Sequence, residues 1–447
     1  MAQAQYIYAL ETSNQGRKCG QVRFKNHRQL WCTIAGVAGC IAASASAQSM
    51  SGSSMKVASE AITEQHDLCQ HDAGRLWGLS ICGPIMLVDP KTRTLYANRN
   101  TTEHDLRAKG SLFTGTLPPD VSIANTSIDW AGIRWIMVLL PLPSDMVARD
   151  TLLMHESYHR IQPARLPPPK AALPDHLDTY DGRMLLRLEW RALALALRTS
   201  GDAQRSAICD ALAFRKLRRG LTKDAAEREN ALEILEGIAE YTGKRLGAGS
   251  KAVPSTIDTL STYDQRDGYV RSFAYASGPA YGLLLDRLSP AWREKVRPGS
   301  DLGEMLHRAI GNVALPQVMS IRDHYGYADI QRQETAKADA HGRQAAVWQS
   351  ALVDGPVLRV PLIHMKIEFN PQTVFALPPS GTVYPTAIIR DDWGTLTVRQ
   401  GVLISNDWKS ASVAGPSTVQ GDDYTGDGWL LKLSPDWILS NGSVRHR

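Results

Sequence analysis

Three observations make this chain an α+β protein. Short strand-like runs punctuated by Gly and Pro precede residue 125, helix-period segments fill about 144 to 288, and Val-, Ile- and Thr-rich runs return after about residue 345. Its 447 residues are 43% hydrophobic and 21% charged, enough apolar material for two or three domains. That composition excludes intrinsic disorder, a collagen-like repeat and a small disulfide scaffold. The expected organisation is an export signal over 1–47, a small strand-rich N-terminal unit over 48–125, a mainly helical domain over 126–345 and a β-rich domain over 346–447.

The N-terminal reading rests on charge and apolar pattern. Arg17, Lys18, Arg23, Lys25 and Arg28 stand against Glu11 alone, so most of the formal charge of +5 belongs to this segment and no nucleic-acid footprint remains. An uncharged apolar run after Arg28 ends in Ala45-Ser46-Ala47 before Gln48, the pattern of a secretory signal cleaved near Ala47. The expected location is secreted or periplasmic. The long polar lead before the apolar run points to a true start downstream of Met1. Val37-Ala38-Gly39-Cys40 resembles a lipobox, but the apolar run continues past Cys40, which favours soluble export over a lipid anchor. No later segment approaches the roughly 18 to 20 apolar residues of a membrane span.

Beyond the signal, Cys69, Cys82 and Cys209 remain, and Cys69 with Cys82 is the expected pair, brought together by an intervening hairpin. No Cys-x-x-Cys suggests a thiolate metal site. Residues 48 to about 62 read as a flexible Ser- and Ala-rich lead. Residues 82–90 and 94–98 read as short strands, and 126–142 as a strand that ends in a continuous apolar run against a core. Four helices follow: about 144–162, stopped by Pro163; 181–199, closed by Gly201; 223–241, closed by Gly243; and 272–288, before Pro290.

The first helix carries His155-Glu156-Ser157-Tyr158-His159. Spacing of four puts both imidazoles on one helical face, where they can bind one ion, with Glu156 beside them to deprotonate water. A third ligand is expected from Glu236 on the third helix, one turn from Leu232 and near Ala239 on the core-facing strip, in a Gly-x-Ala context that permits close helix approach. The pattern also admits a solvated acidic stripe of Glu229, Glu233, Glu236 and Glu240. Glu189 on the second helix is a rival ligand, or else the partner of a buried arginine such as Arg187 or Arg191. Glu240 is a candidate acceptor for a metal-bound histidine. The expected cofactor is one Zn2+ per chain.

His155-Glu156-x-x-His159 followed by Glu236-Gly-x-Ala resembles the gluzincin metallopeptidases, the clan of thermolysin and the zinc aminopeptidases. The resemblance covers roughly residues 126–290 and implies a gluzincin-like helical catalytic domain with an upstream substrate-binding strand. It implies His155, His159 and Glu236 as zinc ligands and Glu156 as general base on a peptide or protein substrate. Tyr275-Ala-Ser-Gly278 occupies the place of the aminopeptidases' Tyr-x-x-Gly, whose tyrosine stabilises the oxyanion; Tyr275 fits that role and a core aromatic equally well. Two departures are plain: His159 and Glu236 lie 77 positions apart, far more than in those aminopeptidases, and no glycine-rich amine-binding strand precedes His155. Substrate is expected to lie extended along Trp135 to Leu140, adding a strand there.

In the C-terminal domain Trp393, Trp408, Trp429 and Trp437 read as sandwich core, with a carbohydrate- or wall-binding face as the alternative. Arg215, Lys216, Arg218 and Arg219 read as a solvated basic helical face. Two functions follow: an exported zinc metallopeptidase, or a non-catalytic cell-envelope binding protein with a vestigial or structural metal. Glu156 favours the first, since a purely structural site has no use for a general base.

Overall fold

A computed structural model describes residues 41–370, 373–420 and 423–447, so most of the export-signal reading lies outside the described residues. The chain is mixed α+β and divides after Ile330 into two compact units.

The first unit opens with helix α1 (Ile41–Asp72). The flexible lead expected from residue 48 is therefore helical. Ala58, Ala61 and Ile62 are buried in the main core, and Gln65 Nε2 donates to Ser157 Oγ at 3.0 Å. Ala58 and Ala61, small side chains of a segment read as flexible, let the helix lie close against the core there. Its last turn is tied to the following segment by a Cys69–Cys82 disulfide, while Cys209 is free and buried. No hairpin separates the two cysteines; the end of α1 and a turn-rich loop do.

Six strands form one sheet: β1 (Ile85–Val88), β2 (Thr94–Ala97), β3 (Arg107–Lys109), β4 (Leu112–Thr116), β5 (Thr126–Trp130) and β6 (Ile133–Leu139), in the order β3-β4-β2-β1-β6-β5. Only β1 and β6 run parallel. Their continuous apolar runs follow from burial on both faces: Ile85, Leu87, Ile136 and Val138 face the helices, while Met86, Val88, Trp135 and Met137 enter a second core. The sheet runs across residue 125, so the strand-rich segment and the strand preceding the first predicted helix are one structure. β6 is flanked on both sides, by β1 and β5. The expectation that substrate adds along Trp135 to Leu140 therefore fails, because the main-chain groups on both edges of β6 are already committed.

Helix α2 (Met146–Arg165) starts on Asp145, whose side chain accepts from the Ala148 amide. It runs past Pro163, the expected stop, and ends two residues later; the proline gives up the bond to the His159 carbonyl and its ring crowds that carbonyl. After α3 (Tyr180–Arg198) comes α4 (Gly201–Arg219), which packs on α3. A nearly continuous helical rod follows: α5 (Ala225–Leu232), a π turn (Glu233–Gly237), α6 (Ile238–Gly243) and a second π turn (Lys244–Ala248). The remaining helices are α7 (Ala252–Tyr263), α8 (Phe273–Leu288), α9 (Trp292–Lys295), α10 (Leu302–Ala309), α11 (Val318–Ile321) and α12 (Tyr327–Gln349), the last spanning the division between units.

The basic cluster of α4 is only in part a solvated face: Lys216 is exposed, Arg219 half-buried and the other two arginines buried. Arg215 and Arg218 are buried with Glu189, Glu229 and Glu233, because each guanidinium meets carboxylates that offset the cost of leaving water.

The second unit holds two antiparallel-rich sheets of seven and six strands. Val360, Ile404 and Val413 of one sheet and Ile389, Leu396 and Leu431 of the other share a single core, making a sandwich. Trp393 and Trp429 are buried within it, Trp437 packs at its margin, and Trp408 is exposed.

Candidate metal centre

Two helices build the centre. Residues 155, 156 and 159 sit on α2, and all three side chains are turned into the protein. Facing them is the rod carrying Glu236 and Glu240. These helices approach backbone to backbone at Gly243, where a Cβ would stand 2.5 Å from the Thr151 carbonyl oxygen. Such an approach brings short carboxylate side chains within reach of imidazoles on the other helix.

Three ligand atoms converge. His155 Nε2 and His159 Nε2 are 3.0 Å apart, and Glu236 Oε2 lies 3.4 Å from the first and 3.5 Å from the second. Ligand atoms of a tetrahedral zinc with bonds of about 2.0–2.1 Å stand about 3.3 Å from one another. Among the described residues this is the one group of three such side chains that could hold an ion.

The far nitrogens are fixed. His155 Nδ1 donates to Glu240 Oε2 at 2.9 Å, and His159 Nδ1 to Gln162 Oε1 at 2.8 Å. Gln162 has no freedom to present its amide nitrogen instead, because Nε2 donates to the carbonyls of Ile234 at 2.9 Å and Leu235 at 3.0 Å. With Nδ1 of each imidazole committed as a donor, Nε2 is the atom each ring would offer to a cation at the shared point on giving up its proton there. Glu240 is in turn approached by the buried Lys244 ammonium at 3.7 Å, which Ser255 Oγ holds at 2.8 Å.

The electrostatics carry an excess of negative charge. Burial opposes protonation of His155, yet Glu236 and Glu240 outweigh it and hold its pKa well above the ordinary value; burial likewise opposes Glu236 in raising His159 and loses. Glu236 is pushed far down by the same imidazoles against the cost of its burial. Burial pushes Glu156 up, and its Oε2 is buried without a hydrogen-bond partner among the described residues. Three carboxylates around two imidazoles, one with an orphaned oxygen, suit a divalent cation. Two imidazole nitrogens and one carboxylate oxygen are donors of the kind that can hold zinc.

Tyr275 lies beside this group: its hydroxyl donates to Glu236 Oε2 at 2.7 Å, and its ring stacks parallel to His155 with centroids 5.5 Å apart. Glu189, the rival ligand, is elsewhere. It accepts from Arg218, Arg215 and Tyr281 on the far side of the rod, so it partners arginines other than Arg187 and Arg191. Arg187 and Arg191 pair with Asp264. Nor is the acidic stripe solvated: Glu229 and Glu233 face the arginines, while Glu236 and Glu240 face the histidines.

Sequence reasoning missed Gln162 and Lys244. Each had a spacing signal, three positions after His159 and four after Glu240, which places it on the same helical face. Compared with known proteins, the chain matches no family model, no curated protein and no solved structure.

Proposed function

We propose that this chain is an exported zinc-dependent metallopeptidase of the gluzincin kind, with His155, His159 and Glu236 as ligands and Glu156 as general base. The observation that carries the reading is the convergence of two Nε2 atoms and one carboxylate oxygen within 3.0–3.5 Å, with both Nδ1 atoms already engaged. A zinc ion held there supplies Lewis-acid polarisation of a substrate carbonyl and acidifies the attacking water.

The chain's own groups do the rest. Glu156, made more basic by burial, takes the proton of the attacking water and delivers it to the departing amine. The Tyr275 hydroxyl, now on Glu236, turns to the carbonyl oxygen as negative charge develops. An extended peptide adds at β5, which ends the sheet on the side beyond β6. No described helix is long and apolar enough to cross a membrane. Export is read from the signal-like run before Gln48.

One observation favours a second reading, a structural metal in a non-catalytic envelope-binding protein: His155 is only 3% exposed and Glu236 6%. That reading leaves Glu156 without a role. The test is cleavage of a quenched fluorogenic peptide library by the zinc-loaded protein. Turnover lost in Glu156→Gln, with zinc retained, supports the peptidase; a zinc-loaded parent that cleaves no member supports the structural site.

A further inference from the structure

The rod that presents Glu236 is not a regular helix at that point. Over Glu233–Gly237 it widens into a π turn, in which the Ile238 amide reaches back to the Glu233 carbonyl. In a regular α-helix Glu233, Glu236 and Glu240 share one stripe. Here they part company, Glu233 facing α4 and the other two facing α2. A π turn contains one residue more than the α-helical turn, and each residue rotates the helix by about 100°. Closing it would therefore change the direction of Glu236, within the turn, and rotate Glu240, beyond it, relative to Glu233.

The first residue of the turn is gripped from α4. Arg215 grips Glu233 with both arms, Nη1 to Oε1 at 2.8 Å and Nη2 to Oε2 at 2.5 Å. Both side chains are buried, at 3% and 0% exposure, and the guanidinium lies 4.7 Å from the Tyr281 ring. At the other end Gly237 meets Gly278 of α8, where a Cβ on Gly278 would stand 2.3 Å from the Gly237 Cα. Between these anchors, the carbonyls of Ile234 and Leu235 accept from Gln162, the residue that orients His159.

We propose that the buried Arg215–Glu233 ion pair is a positioning element of the metal centre, holding the π turn that aims Glu236 at the ion and presents the carbonyls that fix Gln162 and, through it, His159. This rests on the metal-centre reading above and adds residues remote from the ion to it. Arg215 and Glu233 touch neither ligand nor substrate; they act through the backbone of the turn.

The test uses the full chain. Arg215→Met alone leaves the buried Glu233 carboxylate only the longer contact to Arg219 Nη2 at 3.8 Å, so the informative variant is the double replacement Arg215→Met with Glu233→Met. It leaves the neighbouring carboxylates paired: Glu189 with Arg218, Glu229 with Arg218 and Arg219, and Asp301 with Arg219. Replacing a buried ion pair by apolar residues of similar volume is often neutral for stability. Zinc affinity is read by competition with a chromophoric chelator, and geometry by the visible spectrum of the cobalt-loaded protein; affinity is linked to folding, so it is compared with thermal unfolding in chelator, while the spectrum reports the geometry of the bound ion directly. The double variant is expected to unfold thermally near the parent in chelator, to bind zinc about 10- to 100-fold more weakly and to lose intensity in the cobalt band. Gln162→Met, with the ion pair intact, is expected to weaken zinc in the same range. Parent-like affinity and spectrum in the double variant overturn the inference alone; a parent that takes up neither zinc nor cobalt overturns the metal-centre reading and the inference with it.

Discussion

Glu156 lies in the same helical turn as both imidazoles yet is not one of the three groups that converge, so the proposed function separates binding from chemistry at a single residue. Glu156→Gln is expected to keep zinc and lower kcat by about 10²–10⁴, the range general-base catalysis contributes; elemental analysis and initial rates on a cleaved library peptide check both halves. Glu189→Ala behaves oppositely. It removes the shared acceptor of Arg218 and Tyr281, so chemical denaturation should show a loss of about 3–5 kcal/mol, while the folded fraction still binds zinc. At this scale the sequence displayed the histidine pair and Glu156, because fixed spacing on one helix needs no tertiary information. It ranked Glu236 over Glu189 by local context only. What separates them in space is the direction each faces: the same helix-period logic pointed both inward, and one inward face meets arginines while the other meets histidines.

Helix α10 begins at Asp301, which accepts from the Glu304 amide and also meets Arg215 and Arg219. Partial burial opposes its ionisation, but the two guanidiniums outweigh that and hold its pKa near about 2, against an ordinary 3.8. A folded-state value below the unfolded one means that Asp301 stabilises the protein fully above about pH 3.8 and that this contribution vanishes as pH falls through about 2. Thermal midpoints measured from pH 5 to pH 2 should fall less steeply in Asp301→Asn than in the parent. Among the elements, three of the four expected helices were legible from apolar period and from Gly and Pro punctuation to within three residues at each end; the one expected to close at Gly243 continues through a second π turn to Ala248. Helix α4 was not resolved as a separate element, and its arginines read as a solvated face, because a buried arginine and an exposed one have the same local sequence. The π turn left no mark either: Glu233-Ile-Leu-Glu-Gly is ordinary helix sequence, and the partners that widen it come from α2, α4 and α8.

Across the whole molecule, the first unit is assembled around α2. Gln65 of α1 reaches Ser157, Arg160 donates to the carbonyls of Ser80 and Cys82, and Trp77 donates to Thr242 of the opposing rod. The Cys69–Cys82 bond ties together the segment that makes these contacts, across a separation of 13 residues. Replacing both cysteines by alanine is expected to cost about 3 kcal/mol in urea unfolding of the first unit, the chain-entropy value for a loop of that size. The apolar pattern along the chain showed the α+β class and the change to β structure in the C-terminal region. It did not show that the early strands and the strand before α2 form one sheet, since strand pairing is non-local, and it placed substrate on a strand whose neighbours on both sides only the fold reveals. The most direct test of the metal centre is zinc content by elemental analysis of the protein expressed from Gln48, beside Glu236→Ala, after loading and exhaustive dialysis. About one zinc per chain in the parent and loss of it in Glu236→Ala is the expected result; a well-folded parent without zinc, or a Glu236→Ala variant that retains it as tightly, would contradict the ligand set.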